Sequence, residues 1–433
     1  MKITFIQPAM HKRQAADAMQ PLAYAVLKGL TPENVEVQFF DERVEELPTT
    51  FKADAVAMAV ETFSAKRAYT LADSFRSQGI PVILGGFHPT LMPNEALAHA
   101  DSVVIGEAEG VWKSVIADLQ SGTLQKIYRQ EGAANLQGLN FDRSIFAGKK
   151  YLPVFPVQFS RGCRFACDFC SIHAFFKSQV RRRPISEVVA ELKNAKTVFI
   201  VDDNILSDRQ EAKKLFQALI PLKIKWGCQI SIDVVDDDEL LSLMAESGCI
   251  AVLIGFESLS AQNLEQMGKN VNIKRMDYHS AIRKIKRHGI MIYGTFVFGY
   301  DNDTAAIVAD TCDFALEQRL FLANFNPLMP MPGTRLYERL TAEGRLRYDK
   351  WWLDDKFRYG CTMFSPKRMS EQELAASCYA ARKKFNTYYS IVRRACDRAN
   401  AGSLAQLGIF LMANWVSRTE IYKKQGAALG GKP

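Results

Sequence analysis

The chain has 433 residues, and at roughly 150 residues per domain that length suggests about three domains. Hydrophobic residues make up 48% and charged residues 24%, the average of soluble globular chains, which excludes disordered, collagen-like and fibrous classes. Lys and Arg total 55 against 47 Asp and Glu, a net charge of +8. That modest surplus reads first as a solvated surface, with an anionic ligand or membrane surface as the alternative.

No apolar run reaches the ~18 residues needed to cross a bilayer; the longest, 404–416, is interrupted by Gln406, Gly408 and Asn414. The first residues lack the apolar core of a signal peptide. Nine cysteines, an odd number, argue against a disulfide framework in such a chain. The expectation is a cytoplasmic protein without a transmembrane segment, peripheral membrane contact being allowed, and with no nucleic-acid partner.

The first part alternates short apolar runs with mixed stretches. Strands are predicted at 2–6, 35–40, 55–60, 81–85 and 102–105, with helices at 21–30 and 65–78. In the second helix Ala68, Leu71, Ala72 and Phe75 fall on one face. Such a series implies a Rossmann-like, doubly wound parallel sheet over 1–125, which binds ligands beyond the carboxyl ends of its strands. Those ends carry Thr62 and Ser64, then Gly85, Gly86 and His88, then Gly106 and Glu107. Small residues there let a large flat ligand approach the backbone, although turn glycines without a ligand give the same pattern.

Residues 126–155 are polar and irregular, as in a linker. A second series follows over 156–335, with strands predicted at 156–160, 198–201, 228–232, 250–256, 291–298 and 321–328. Acids at Asp236–Glu239 open one helix and Gly248 closes it. Six such units form a partial parallel (β/α)6 barrel, whose chemistry belongs at the C-terminal strand ends. Residues 336–433 are helix-like, basic and aromatic, with Trp351-Trp352, Tyr388-Tyr389, Arg393-Arg394 and Trp415.

The most specific signal is Cys163-Arg164-Phe165-Ala166-Cys167-Asp168-Phe169-Cys170, directly after the first barrel strand. Three thiols favour zinc, copper(I) or an iron–sulfur cluster. Structural zinc wants four ligands, so a zinc reading needs His173; a [4Fe–4S] cluster held by three thiolates instead keeps one iron open for a ligand. The remaining cysteines (Cys228, Cys249, Cys312, Cys361, Cys378 and Cys396) are scattered, as buried small hydrophobes are, with Cys361 and Cys378 in the tail as the two that could reach the active site. The run Arg181-Arg182-Arg183 reads as a solvated face or as a counter-charge for an anionic ligand.

This cysteine spacing at the first strand end of a six-strand barrel resembles the radical S-adenosylmethionine (SAM) superfamily. The resemblance implies a [4Fe–4S] cluster on Cys163, Cys167 and Cys170 whose open iron takes SAM, with reductive cleavage to a 5′-deoxyadenosyl radical. It places Phe169 near the adenine. Asp202 and Asp203, ahead of Asn204, are implied as contacts to the SAM amino group. Ser231 on the third strand and Glu257 on the fourth, toward the ribose, complete the set with Phe298 in the fifth-strand adenine segment. Asp301-Asn302-Asp303 departs from the commoner Pro-x-Glu-Thr after that segment. Pro330-Met331-Pro332-Gly333-Thr334 resembles the sixth-strand motif of cobalamin-linked members.

The N-terminal unit resembles the cobalamin-binding domain that precedes the barrel in one large branch, best matched by 82–93 and 100–107. The resemblance implies cobalamin contacts from Thr62, Ser64, Gly85, Gly86, His88, Gly106 and Glu107. Asp-x-His-x-x-Gly is absent, so no motif histidine is expected beneath the cobalt. The reading is an enzyme that transfers a methyl group to an unactivated carbon of a small molecule, such as a tetrapyrrole or lipid intermediate, with flavodoxin or ferredoxin as electron donor. The alternatives are an oxidative cyclase or rearrangement enzyme of the same branch and a nonenzymatic iron–sulfur or zinc module.

Overall fold

The computed structural model describes residues 1–11 and 15–430. Its first sheet is wholly parallel and contains β1 (Lys2–Gln7), β2 (Glu36–Asp41), β3 (Ala55–Ala59), β4 (Val82–Gly85), β5 (Ser102–Ile105) and β6 (Ile127–Arg129), in the order β2-β1-β3-β4-β5-β6. Alternate side chains feed two cores. Val56, Met58, Leu84 and Val103 pack on one face, while Ile3, Phe5, Ile83 and Val104 pack on the other. Strand β6 lies inside the stretch expected to be linker. Three residues give no readable periodicity, and β6 is held by main-chain pairing of Val103 to Ile127 through Ile105 to Arg129.

The second sheet contains β7 (Phe155–Val157), β10 (Thr197–Ile200), β11 (Lys225–Ile230), β12 (Cys249–Glu257), β13 (Met291–Phe298) and β14 (Leu322–Pro327), separated in sequence by β8 (Ser160–Arg161) and β9 (Arg181–Arg182). Its order, β14-β13-β12-β11-β10-β7, is parallel and leaves β7 and β14 as edges, so the barrel is open. Phe256, Phe296 and Phe325 stack across three adjacent strands at 5.6 and 5.7 Å between ring centroids.

The first barrel strand is shorter than expected. The buried Asp202 carboxylate accepts the N–H groups of Phe159 at 2.8 Å and Ser160 at 2.7 Å, which draws the chain out of the sheet. Ser160–Arg161 then pairs antiparallel with Arg181–Arg182. The arginine run is therefore not a solvated loop: Arg181 contacts Glu107, Arg182 pairs with Asp208 and Arg183 with Glu191.

The C-terminal region also departs from a simple helical tail. Helix Glu371–Phe385 covers the β14 edge of the barrel. The largely irregular chain before it crosses back to the first unit and inserts Trp351 and Trp352, both fully buried, into the core beside Val60, Ala65 and Tyr69. These indoles are packing residues. Among the described residues no helix is long and apolar enough to cross a membrane.

Candidate active site

The three cysteines lie on one loop that several barrel elements pin. Gly162, at φ +90°, opens it, and a Cβ there would sit 2.0 Å from the Gln179 carbonyl; no other residue fits this approach. Asp203 accepts the Gly162 N–H at 2.7 Å. Arg164 donates to Asp233 at 2.5 Å. The Asp168 N–H donates to the Met267 carbonyl, and its carboxylate accepts from the Tyr300 hydroxyl at 2.5 Å. The helix Arg335–Ala342 after the sixth strand contributes the Leu336 N–H, which donates to the Asp168 carbonyl. Asp303 closes the turn after β13 by accepting the N–H groups of Gly299 at 2.8 Å and Tyr300 at 3.1 Å. The departure at 301–303 thus keeps a carboxylate-capped turn that aims Tyr300 at the cysteine loop.

Cys167 is buried, while Cys163 and Cys170 are half-buried. Burial pushes the Cys167 thiol up to about 12 and raises Cys170, and neighbouring thiols add to both shifts. The countercharge is Lys269, 3.0 Å from Glu257. Burial would lower this ammonium, but Glu257, Cys167 and Cys170 together raise it. Glu257 has φ +64° at a register shift in the β12–β13 pairing. The bulge re-aims its carboxylate toward the cysteine loop.

The other expected SAM contacts separate into two groups. Asp202 is wholly engaged by Phe159 and Ser160, and burial raises its carboxyl to about 7; it shapes the strand end. Asp203 turns toward Gly162. Asn204, ranked below the two acids in sequence, is the residue beside the thiols: its amide donates to Ser231 Oγ at 3.3 Å and lies 3.9 Å from Cys163 Sγ. Ser231 in turn donates to Asp233. Phe169 packs at the edge of the barrel core, whereas Phe298 is buried within it. Lys269 carried no signal in the sequence.

A cleft of about 400 Å³ runs from the C-terminal edge of the first sheet to the barrel mouth. Gly85, Gly86, Gly106 and Glu107 line it from one side, and Gln158, Arg161 and Asp203 from the other. Phe87 contacts Phe175 at 4.4 Å to form an aromatic wall. At Gly86, φ +97°, a Cβ would stand 2.9 Å from the Val60 nitrogen, so the rim is bare backbone. Arg161 crosses between the units, bonding Glu107 at 2.8 Å and Glu109 at 2.6 Å.

Thr62, Ser64 and His88 do not line this cleft. The turn Thr62–Ser64 directs its hydroxyls inward, Thr62 to His88 at 3.3 Å and Ser64 to the Glu61 backbone. His88 is fully buried and its other ring nitrogen lies 3.0 Å from Glu95. Cys378 is likewise buried in the barrel core, while Cys361 is half-buried beside Phe63 and Met363.

Among the described residues no group of three His, Cys, Asp or Glu converges on a single-ion site, and His173 Nδ1 is taken by Ser178 at 3.0 Å. Mononuclear zinc is thus not favoured, whereas three thiols spread over one loop with a buried ammonium suit a larger, anionic cluster. The glycine rim and apolar wall suit a broad flat ligand, and no histidine stands among the residues lining the cleft.

Residues 157–315 match the radical SAM superfamily model. The chain is 29% identical over 411 residues to bacteriochlorophyllide d C-12(1)-methyltransferase of Chlorobaculum tepidum, covering 91% of this chain and 89% of the relative. It is 29% identical over 353 residues to bacteriochlorophyllide d C-8(2)-methyltransferase of the same organism, covering 76% and 78%. The fold is that of the radical SAM methyltransferase TsrM from Kitasatospora setae, solved with cobalamin and a [4Fe–4S] cluster bound. That likeness has a TM-score of 0.68 at 14% identity and covers 98% of both chains. With its cysteine loop at the first strand end of an open barrel behind a Rossmann-like unit, this enzyme carries a radical SAM domain over residues 157–315.

Proposed function

We propose that the chain is a cobalamin-dependent radical SAM C-methyltransferase acting on a tetrapyrrole side chain. The observation that supports it best is similarity running through both units to a methyltransferase named for a bacteriochlorophyllide, together with a glycine-rimmed cleft that joins those units. When bound, the cluster would supply the electron that cleaves SAM, and cobalamin would supply the methyl group.

The chain's own residues bind, orient and exclude water. Cys163, Cys167 and Cys170 would hold the cluster, with Lys269 balancing its charge. Asn204 presents an amide beside Cys163, and Ser231 presents a hydroxyl bonded to that amide; the two would orient the polar end of SAM. Glu257 presents a carboxylate, which accepts from paired hydroxyls such as those of a ribose. Gly85, Gly86 and Gly106 would carry the corrin, and holding it opposite the barrel mouth supplies the proximity that a radical methyl transfer requires.

The test is anaerobic reconstitution with iron, sulfide, cobalamin, dithionite or flavodoxin, SAM and a bacteriochlorophyllide. Formation of 5′-deoxyadenosine with a product heavier by one CH2 unit is expected. A product that has lost hydrogen without gaining carbon would instead show a cyclase.

A further inference from the structure

The last fifty described residues carry an exposed surface that the catalytic reading does not use. In helix Leu404–Lys424, Leu404, Gly408, Leu411, Trp415 and Tyr422 fall at i, i+4, i+7, i+11 and i+18, a single stripe along the helix. Leu404 is 89% and Trp415 62% exposed, and Leu411 and Tyr422 are exposed as well. The adjoining helix Tyr388–Ala395 adds exposed Tyr388, Tyr389 and Val392. Arg418 joins the two, lying over the Tyr388 ring at 4.3 Å and the Tyr422 ring at 5.5 Å.

The long helix is firmly anchored alongside the stripe. The buried Arg394 guanidinium donates to Asn414 Oδ1 at 2.9 Å, and Arg418 donates to the Asn386 carbonyl at 2.7 Å. Phe410 packs with Phe321 and Ile391. The apolar stripe is therefore held outward by the fold rather than left over from a loose terminus.

Charge follows the same surface. Residues 381–430 contain nine Lys and Arg against two acids, Asp397 and Glu420; Arg382 and Arg394 are buried, and Lys384 and Lys424 pair with Asp313 and Asp17 from elsewhere in the chain. Both acids are engaged, Asp397 by Lys286 at 2.8 Å and Glu420 by Lys423 and Lys424. Lys383, Arg393 and Arg398 stand exposed. Tyr and Trp beside Lys and Arg are the composition of a membrane–water interface. A second copy of the chain docked here would set this cationic surplus against itself.

We propose that helices Tyr388–Ala395 and Leu404–Lys424 form a peripheral docking surface for an anionic lipid bilayer. The stripe enters the headgroup boundary with the long helix lying in the membrane plane, while the arginines and lysines meet lipid phosphates.

The experiment uses the full reconstituted chain and two vesicle preparations, phosphatidylcholine alone and phosphatidylcholine mixed equally with phosphatidylglycerol. Trp415 is a built-in reporter, because Trp112, Trp226, Trp351 and Trp352 are all buried. Expected are co-sedimentation with the anionic vesicles and a blue shift of tryptophan emission that Trp415→Phe removes. Leu411→Glu/Trp415→Glu should abolish binding, and Arg393→Glu/Arg398→Glu should weaken it roughly tenfold or more, with thermal midpoints kept near wild type. Wild-type protein left in the supernatant, equal binding to neutral vesicles, or an unaffected Arg393→Glu/Arg398→Glu variant would overturn the proposal. So would a lipid-free blue shift that grows with protein concentration, which marks self-association.

Discussion

The indole N–H of Trp352 donates to Glu95 Oε1 at 2.9 Å, joining residues 257 apart in sequence. Glu95 also meets His88 at 3.0 Å, Tyr69 at 3.1 Å and Lys350 at 2.9 Å. One carboxylate thus ties the first unit to the segment that returns from behind the barrel. Burial alone would raise this carboxyl, but the bonds from His88, Lys350 and Trp352 outweigh it and hold it down at about 2. A depressed carboxyl stabilises the fold above its ordinary range, and that contribution disappears as pH falls from about 4.5 through about 2. Glu95→Gln should cost about 1–3 kcal/mol near neutrality. The gap between wild type and variant in urea or thermal unfolding should narrow on acidification through that window; a constant gap would show that the charge does not matter.

The cysteines should divide by position. Replacing Cys163, Cys167 or Cys170 with Ala should eliminate bound iron and sulfide and all 5′-deoxyadenosine. Cys312→Ala removes a buried sulfur that packs in the barrel core near the Ala381 carbonyl. It should cost about 1 kcal/mol in stability and leave the iron content unchanged. Equal loss of iron from Cys312→Ala would undo the assignment.

Why the cysteine loop was legible in sequence while its surroundings were not is a matter of range. The thiols are set by spacing within eight residues, and both parallel sheets by local hydrophobic runs. Lys269 reaches the thiols from the segment after β12, and Trp351 and Trp352 reach the first unit across the whole barrel; tertiary packing of that kind leaves no local pattern. The paired glycines before His88 line the cleft at Gly85 and Gly86, but spacing does not reveal that the His88 ring turns inward to Thr62 and Glu95. The Asp202-Asp203-Asn204 run posed the same difficulty. Three adjacent polar residues at a strand end point in different directions, and the structure gives Asn204 the position beside Cys163.

Asp202 and Asn204 should consequently fail in different ways. Asp202→Ala strips the acceptor from three buried donors, Phe159 N–H, Ser160 N–H and Ser160 Oγ, and should destabilise the chain by about 2–4 kcal/mol. Asn204→Ala should keep stability within roughly 1–2 kcal/mol while weakening SAM binding and slowing cleavage. Equilibrium dialysis of SAM alongside urea unfolding separates the two. Loss of SAM affinity from Asp202→Ala at full stability would reverse the roles.

Glu107 makes the last case, because it belongs to the first unit yet serves the second. It accepts from Arg161 and Arg181 on the β8–β9 hairpin and from the Ala134 N–H at 3.0 Å. The cations and the amide keep it charged, holding its carboxyl below the usual range although burial opposes them. Arg161 lies two residues before Cys163, so this contact couples the cleft rim to the cluster loop. Glu107→Ala leaves two half-buried guanidinium groups without their shared acceptor, a change of at most about 3–5 kcal/mol, the figure for a fully buried pair. Arg161 keeps Glu109 at 2.6 Å, which should reduce that cost. Glu107→Gln, which preserves shape and one acceptor, should fold nearly as well as wild type, retain iron and bind cobalamin more weakly. Cobalamin retained through gel filtration at the wild-type ratio would place Glu107 outside the corrin contacts and leave it as an interdomain tie alone.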